Sequence, residues 1–522
     1  EPWAGGGGGR WRNGPLQDIA LEQMAAMKKF HELDIPHSGF YAEGAGATFY
    51  GEYKKEELYK VVSFGERHGF KVFSWQFPNM TQELAQELLP ECPKEELPIT
   101  RNKNDEEEKL PVYIDFSHPR AKELLAAQWK DRMDAGIRGS MVDFGDVVPD
   151  EAVFYDGRRG DEMHNAYAYQ YAKNYRELFE QKYGDDHVLY TRGAAPGSQH
   201  FACQFGGDQL TSFQGLKYAI AGGLSAAASG LPFWGVDAGG YDGFPDQETY
   251  LRWTEYAAFC PLMRFHGTEP REPWEYDAFT VKVYRYYTWL RENLRPYIVS
   301  VAAEAHKLGI PMMRPLAMMY PEDQEATKVW DEYLFGEDLL VAPVSDETEE
   351  REIYFPEGRW ISLWNLNDEI SGPVQRSVEV PIDKIPVYIR EGSFLPLRLN
   401  ESLKLGESMS ESETEMILAV VPQNDSIVKE TLYERSGAKT CCGMEKNGET
   451  IQLQISGRTA ELYVMLAGIH WKNTEAIVNG RTLTKVTARE GLYFTEGYLE
   501  LEEGILVKIN PSAESVIKIQ KK

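Results

Sequence analysis

The chain has 522 residues, of which 42% are hydrophobic and 26% are charged, so it is long enough to bury the cores of two or three domains. Its 82 acidic residues outnumber its 55 basic residues and give a formal net charge of -27, which repels nucleic-acid phosphates and anionic membrane surfaces. The composition excludes a disordered chain and predicts that the protein binds no nucleic acid and no membrane.

The first residues, EPWAGGGGGRW, contain neither the basic start nor the apolar core of a secretory signal. The glycine run at 5–9 is typical of a flexible linker or of a native loop. Five cysteines, an odd number without CxxC spacing, indicate free thiols rather than a metal site or a disulfide framework. Together these features predict a cytoplasmic location.

From about residue 34 to residue 316, short β-rich runs alternate with amphipathic helical stretches. The helical stretches at 120–135 and 162–182 are long enough to cross from one parallel strand to the next. Eight such units favour a (β/α)8 barrel over an open doubly wound sheet. The predicted strands lie at 35–42, 70–77, 139–144, 187–193, 204–208, 232–239, 261–267 and 311–317.

After residue 317 the pattern changes to short alternating strands such as YLFGEDLLVAPV, separated by Gly, Pro and Asp turns. A polar stretch at 399–415 predicts a boundary, after which the alternation resumes. We therefore predict an α/β chain in which a (β/α)8 TIM barrel is followed by C-terminal all-β sandwich domains. The predicted bounds are 1–317 for the barrel, 318–400 for a proximal β-sandwich and 401–522 for a distal β-domain.

Several polar residues stand where an apolar strand gives way to a loop. Asp143 follows the apolar run GSMV, and Asp208 follows two glycines that let the backbone turn tightly. A turn, a helix cap or a buried ion pair would also explain either carboxylate. In a barrel, however, the carboxyl ends of all strands meet at one face, where catalytic side chains lie. The other strand-end polar residues of this kind are Glu43, Arg192, Asp237 and His266.

Two carboxylates on opposite sides of a glycosidic bond can divide the work of its cleavage, one as nucleophile and one as proton donor. A reaction with net retention requires them about 5–5.5 Å apart, which a sequence cannot measure. Aromatic residues near the strand ends offer apolar faces for a sugar ring, although each is more often part of a barrel core. They are Tyr41, Trp75, Phe144, Phe205, Trp234 and Tyr241.

Around the strand-end residues Asp143, Arg192 and Asp208 the chain resembles glycoside hydrolase family 31. GSMVDFGDVVPD resembles the family's nucleophile segment, WxDMNEP, which places the nucleophile at Asp143 and the following acid at Asp146. TRGAAPGSQHFACQFGGDQ resembles the segment TRSxxxGSxRYxxxWxGDN. The second resemblance carries a substrate-contacting Arg onto Arg192, an aromatic residue onto Phe205 and the general acid/base onto Asp208.

Further motifs follow in the family's order, and the resemblance runs from Asp34 to Leu397. GVDAGGYDGF resembles GxDIxGF, and MRFHGTEPREPWEYD resembles the RxH segment with REPW. YIDFSHP resembles the PDFTNP strand at Asp115, which we interpret as mainly structural. The strand-end positions and the resemblance together predict Asp143 and Asp208 as catalytic residues, and Glu43, Trp75, Arg192, Phe205, Asp237, Tyr241 and His266 as substrate-binding residues.

The family resemblance implies a retaining α-glycoside hydrolase, α-glucosidase-like or α-galactosidase-like, that works through a covalent glycosyl-aspartate intermediate with no metal and no cofactor. It also implies a carbohydrate substrate and an N-terminal β-sandwich domain before the barrel. DFGD, GDQ and GGY are closer to the sulfoquinovosidase branch, but the loop after Glu43 lacks the Arg and Trp with which that branch holds a sulfonate. The usual α-glucosidase Asp pair after the first strands is also absent. The sugar, the linkage and the oligomeric state stay open.

Three alternatives to hydrolysis are consistent with parts of this pattern. A transglycosylase would use the same intermediate and deliver it to a sugar hydroxyl. A catalytically silent carbohydrate-binding subunit would keep the fold without the chemistry, although the presence of both carboxylates argues against it. An aldolase-type barrel would need a Lys at a strand end for a Schiff base, and no such Lys ends a predicted strand.

Overall fold

The computed structural model describes residues 3–5, 16–42, 55–101, 112–410, 415–424, 426–458, 460–493 and 495–522. The chain separates into two compact units. The first unit comprises the residues up to Ala219, Phe233–Trp253 and Leu262–Val281, and the second unit comprises Ile220–Pro232, Thr254–Pro261 and Lys282–Lys522. No helix within the described ranges is long and apolar enough to cross a membrane.

A parallel sheet of seven strands, arranged in chain order, forms the centre of the first unit. Its strands are short and largely buried, as expected for a parallel sheet that is covered by helices. A parallel bridge between Gly235 and Leu262 continues the sheet. The strands are Trp3–Gly5, Gly39–Tyr41, Lys71–Gln76, Gly139–Val142, Val188–Thr191, Cys203–Phe205 and Trp234–Gly235.

Helices alternate with these strands along the chain. Ala121–Ala135 ends at Gly136, whose left-handed φ of 104° closes the last turn through backbone bonds to Arg132 and Met133. Gly160–Tyr183 begins where the Arg159 N–H donates to the Glu162 carboxylate at 2.9 Å. The α-helices between residues 16 and 258 are Leu16–Glu32, Lys55–Arg67, Gln82–Leu88, Ala121–Ala135, Gly160–Tyr183, Phe213–Ala228 and Gln247–Ala258.

The strand predictions at the two ends of the barrel need correction. The run at 311–317 forms a strand, Met313–Pro315, but it pairs antiparallel with Tyr333–Phe335 and lies in a β-sheet of the second unit. The run at 261–267 forms single bridges rather than a continuous strand, and its bridge at Leu262 pairs in parallel with Gly235. Conversely, Trp3–Gly5, which was not predicted, pairs in parallel with Gly39–Tyr41. The rest of the glycine run lies outside the described residues.

The second unit contains an antiparallel sheet of six strands. Leu340, Phe355 and Trp360 are fully buried in its apolar core. In sheet order the strands are Met313–Pro315, Tyr333–Phe335, Leu339–Val341, Val387–Arg390, Glu350–Ser362 and Glu369–Glu379. The helices of the chain after residue 277 are Ala278–Asn293, Arg295–Leu308 and Leu316–Met319.

Two further six-stranded sheets of the second unit share one apolar core and form a sandwich. In Thr450–Ser456, Ile451, Leu453 and Ile455 are buried and the residues between them are not, which is the alternation expected of a strand with one covered face. One sheet contains Phe394–Leu399, Glu415–Val420, Leu462–Ala467, Gly504–Ile509, Gly497–Glu500 and Thr484–Lys485. The other contains Ile427–Tyr433, Lys439–Asn447, Thr450–Ser456, Glu514–Lys521, Thr474–Val478 and Arg481–Thr482. The domain bounds at 317 and 400 stay predictions.

Candidate active site

The register of the parallel sheet places the strand-end residues beside one another. Val142 pairs with Thr191, so Asp143 and Arg192, which follow them, leave neighbouring strands at the same level. Phe205 pairs with Gly235 in the same way. The loops that carry Asp208 and Asp237 therefore start from adjacent strands at the carboxyl edge of the sheet.

Asp143 is a buried carboxylate with fixed orientation. Trp75 Nε1 donates to its Oδ2 at 3.0 Å, and the backbone N–H of Phe144 donates to its Oδ1 at 2.9 Å. Only 5% of the residue is exposed. Each carboxylate oxygen thus has one donor from the protein and keeps a further lone pair for another partner.

Arg192 lies between two acidic residues of the loop that follows Gly139–Val142. Its Nε is 3.8 Å from Oδ1 of Asp143, and its Nη2 is 3.2 Å from Oδ1 of Asp146. The guanidinium also stacks on Phe144, 4.1 Å from the ring centroid. Phe144 has a φ of 56°, which is rare for a bulky residue, and this turn brings its ring under Arg192.

The surroundings of Asp143 act on its pKa in opposite directions. Burial raises the pKa, and this effect dominates. The positive charge of Arg192 and the hydrogen bonds from Trp75 and Phe144 lower it, whereas the negative charge of Asp208 raises it further. The pKa of Asp143 therefore lies above the ordinary range of an aspartate.

Asp208 is exposed, in contrast to Asp143, and it stands on a tight turn. Gly207, which precedes it, has a φ of 73°, and a Cβ at that position would lie 2.9 Å from Cδ of Arg192. The glycine thus allows the turn to pass directly against the arginine stem. Because Asp208 raises the pKa of both Asp143 and Asp237, the three carboxylates share one electrostatic environment.

Asp237 is 1% exposed and forms a buried ion pair with Arg264. Burial raises the pKa of Asp237 to about 7, Arg264 opposes this effect, and the charges of Asp208 and Asp143 add to it. Arg264 in turn lies over the ring of Phe205, 4.7 Å from its centroid. The sequence interpretation had missed Arg264, although its position two residues before His266 was a signal that both lie on one side of an extended run.

His266 and its neighbours form an aromatic wall. Its ring lies 4.9 Å from that of Tyr41 and 5.4 Å from that of Tyr241, and the residue is 3% exposed. Tyr41, Trp75 and Phe205 belong to one buried apolar cluster of the first unit. Trp75 differs from a purely apolar core residue because its indole N–H contacts Asp143. Glu43, the remaining predicted site residue, lies outside the described residues.

Arg271 holds the loop that follows Trp234–Gly235. Its guanidinium donates to the carbonyl of Gly240 at 2.8 Å, of Tyr241 at 3.2 Å and of Gly243 at 2.7 Å. Only 3% of Arg271 is exposed. The sequence interpretation quoted its motif, REPW, without assigning this residue a role.

Asp115 accepts hydrogen bonds from the backbone N–H groups of Ser117 at 2.8 Å and Tyr155 at 2.5 Å. It thereby ties two loops together, which supports a structural role. Among the residues that the structure describes, no group of three His, Cys, Asp or Glu side chains is arranged to hold a metal ion.

Comparison with known families agrees with this geometry. The model of the glycosyl hydrolases family 31 TIM-barrel domain matches residues 16–301, and the model of the family 31 C-terminal domain matches residues 309–395. The α/β fold class with a barrel followed by C-terminal β-domains is thus confirmed.

Several characterised proteins are similar to this chain. The isomaltosyltransferase of Sporosarcina globispora is 32% identical in an alignment over 430 residues that covers 77% of this chain and 39% of that protein. The sulfoquinovosidase of Escherichia coli is 32% identical over 297 residues, 54% of this chain and 43% of that protein. The chain therefore spans less than half the length of these relatives.

Among solved structures, the cycloalternan-forming enzyme from Listeria monocytogenes aligns with a TM-score of 0.88 at 22% identity. The alignment covers 100% of this chain and 54% of that one. This likeness shows a common fold. Because the barrel model alone matches more than half of the chain, the protein belongs to glycosyl hydrolase family 31.

Proposed function

We propose that the protein is a retaining α-glycoside hydrolase that cleaves terminal α-linked sugars, with Asp143 as nucleophile and Asp208 as general acid/base. The contrast between the two carboxylates carries this proposal: Asp143 is buried and held by two donors, and Asp208 is exposed on a tight turn. A nucleophile benefits from a fixed orientation. A residue that alternates between acid and base must exchange its proton with solvent.

In the first step, a carboxylate oxygen of Asp143 attacks the anomeric carbon while Asp208 gives its proton to the departing glycosidic oxygen. The C–O bond breaks and a glycosyl ester forms on Asp143. In the second step, Asp208 takes a proton from water, the water oxygen attacks the anomeric carbon, and the ester bond breaks. Trp75 and Arg192 hold the carboxylate in place during both steps and stabilise its charge when it leaves the sugar.

A second candidate is glycosyl transfer, in which a sugar hydroxyl replaces water in the second step. The similarity to an isomaltosyltransferase over 77% of this chain favours it. Product analysis at rising sugar concentration separates the two candidates. New oligosaccharides indicate transfer, and monosaccharide alone indicates hydrolysis.

The nucleophile is tested by Asp143→Asn, which keeps the volume of the side chain and removes its charge. We expect turnover of aryl α-glycosides to fall by about 10⁴-fold or more, with folding intact. The panel consists of glucose, galactose, xylose, N-acetylgalactosamine and sulfoquinovose derivatives. Asp115→Asn is the matched control, because Asp115 is also buried but accepts hydrogen bonds from the backbone of two loops. Full activity of Asp143→Asn would reassign the nucleophile.

The acid/base is tested by Asp208→Ala with added azide. Aryl glycosides with good leaving groups need no proton donor, so the glycosyl ester on Asp143 still forms. Azide needs no general base and should release the sugar as a glycosyl azide of retained configuration. Rates that do not respond to azide, with the wild type active, would remove Asp208 from this role.

A further inference from the structure

Three aromatic rings form a stack, and its outermost ring lies on the loop after Trp234–Gly235 and is exposed to solvent. The innermost ring, Tyr250, is fully buried and lies 4.7 Å from that of Tyr276 at an interplanar angle of 26°. Tyr276 lies 4.9 Å from Phe244 at 21°. Phe244, the outermost ring, is 48% exposed. One face of Phe244 is thus supported by protein, and a large part of the ring is open to a ligand.

The loop holds Phe244 in a fixed position before any ligand arrives. The hydroxyl of Tyr276 donates to the carbonyl of Pro245 at 2.8 Å, directly after Phe244. Gly243, directly before it, donates from its N–H to Oγ1 of Thr268 at 2.8 Å and accepts from Arg271. A single exposed ring is ordinary on a protein surface, but one anchored on both sides loses little entropy on binding.

The loop also places Phe244 near the candidate active-site residues. It leaves the sheet at the strand end that carries Asp237, and three residues before Phe244 it presents Tyr241, whose ring faces His266 at 5.4 Å. Three residues of extended chain span about 10 Å at most. An enzyme that removes a terminal sugar holds that sugar at the nucleophile, so the remainder of an oligosaccharide extends outward across such a rim.

We propose that Phe244 is a stacking platform for a sugar ring in the leaving group of an oligosaccharide substrate. The apolar C–H face of a pyranose packs on an aromatic face, and the supported ring stack provides one. This inference rests on the proposed function and adds a preference for oligosaccharides over glycosides with simple leaving groups.

The experiment measures kcat/KM for the wild type, Phe244→Leu, Phe244→Trp and a control, Trp330→Leu. Leucine keeps an apolar side chain without a ring, and tryptophan keeps the aromatic face. Trp330 belongs to the second unit and is 49% exposed, so Trp330→Leu replaces an aromatic residue as exposed as Phe244 at another place in the chain. The substrates are the aryl α-glycoside hydrolysed fastest and trisaccharides with the same terminal sugar, which are maltotriose and isomaltotriose if that sugar is glucose.

We expect the ratio of trisaccharide to aryl-glycoside kcat/KM to fall about three- to tenfold in Phe244→Leu, mainly through KM. Phe244→Trp and Trp330→Leu should keep the wild-type ratio. An unchanged ratio in Phe244→Leu would overturn the inference. If the wild type cleaves no glycoside, the proposed function fails. Calorimetric titration with maltotriose and isomaltotriose then tests whether Phe244 binds a sugar ring. Weaker binding by Phe244→Leu than by the wild type would support it, and equal or undetectable binding would overturn it.

Discussion

Asp143 and Asp208 carry the same functional group and differ only in what surrounds them. Burial raises the pKa of Asp143, and the Trp75 indole, the Phe144 amide and the Arg192 guanidinium oppose that effect. In the proposed mechanism the ionised form of Asp143 is the reactive one, so these three partners should influence the pH range in which it can attack. Asp208 is exposed, so its carboxyl group is accessible to solvent.

The role of Trp75 is tested through the pH dependence of kcat/KM in Trp75→Phe. Loss of the indole N–H removes a bond to the charged form of Asp143, so the pKa of Asp143 should rise. Because the charged form is required, the acidic limb of the profile should move to higher pH, by about one unit. The basic limb, which the proposed mechanism attributes to Asp208, should stay in place.

Trp129→Phe is the control for this shift. Trp129 is also fully buried in the first unit, but it packs against Phe179, 5.0 Å between ring centroids, rather than against a carboxylate. Its replacement should lower stability and leave both limbs unmoved. An acidic limb in Trp75→Phe that coincides with the wild type would show that the indole does not tune Asp143.

The sequence predicted which residues lie at the strand ends, but not how they contact one another. Asp143 and Asp208 follow apolar or glycine-rich runs, and both stand in family motifs, so they were recognisable. The ion pair of Asp237 with Arg264 was not, because an arginine two residues before a histidine has no unique partner in a sequence. The positive φ of Phe144 carried no signal either, since left-handed turns usually select glycine or asparagine.

At the scale of an element, the FGGD turn connects the two candidate catalytic residues through Arg192. A Cβ added at Gly207 would lie 2.9 Å from Cδ of Arg192, and the guanidinium of Arg192 lies beside Asp143 and Asp146. We therefore expect the turn to influence where the arginine lies. A change in the turn should therefore reach Asp143, the proposed nucleophile, through Arg192.

Gly207→Ala tests this connection. Alanine at a φ of 73° should lower the free energy of unfolding by about 1 kcal/mol. Its Cβ would lie only 2.9 Å from Cδ of Arg192, so the arginine side chain would have to move. We expect kcat/KM to fall about tenfold or more, because a small displacement of Arg192 should disturb the proposed nucleophile, Asp143.

The matched control is Gly69→Ala, at a φ of 79° with no atom within 4 Å of the added Cβ. It should lower the melting temperature as Gly207→Ala does and leave kcat/KM unchanged. Equal kinetics in the two variants would mean that Arg192 does not depend on the turn.

Element positions were predicted better than pairing directions. The strand at Met313–Pro315 was expected within 311–317, but PMMRPLA contains nothing that distinguishes parallel from antiparallel partners. Trp3–Gly5 was missed because a three-residue strand before a glycine run lacks the apolar length on which strand prediction depends. Both differences concern long-range pairing, which local sequence does not encode.

At the scale of the whole molecule, the fold class followed from a change in periodicity. Parallel strands are buried on both faces and appear as apolar runs, whereas strands of the sandwich alternate, as Ile451, Leu453 and Ile455 do. These two hydrophobic patterns, continuous apolar runs and strict alternation, are clearly distinguishable in the sequence. How many strands each sheet contains depends on partners far away in the chain, which the local pattern does not encode.

The net charge of -27 predicts a stability that depends on salt. Self-repulsion opposes the compact state, and its range shrinks from about 30 Å at 0.01 M salt to about 8 Å at 0.15 M. We expect the melting temperature at pH 7.5 to rise by a few degrees between these concentrations. Near the isoelectric point of about 4.9 the same change in salt should have little effect. A melting temperature that falls with salt at pH 7.5 would contradict a dominant role for repulsion.

Arg271 donates hydrogen bonds to the loop after Trp234–Gly235 through the backbone carbonyl groups of Gly240, Tyr241 and Gly243. Every residue type offers the same carbonyl acceptor. Positions such as Tyr241 and Phe244 can therefore exchange their side chains in evolution while the loop keeps its course. One buried guanidinium thus makes the rim of the barrel evolvable, since new specificities can arise there without a new scaffold.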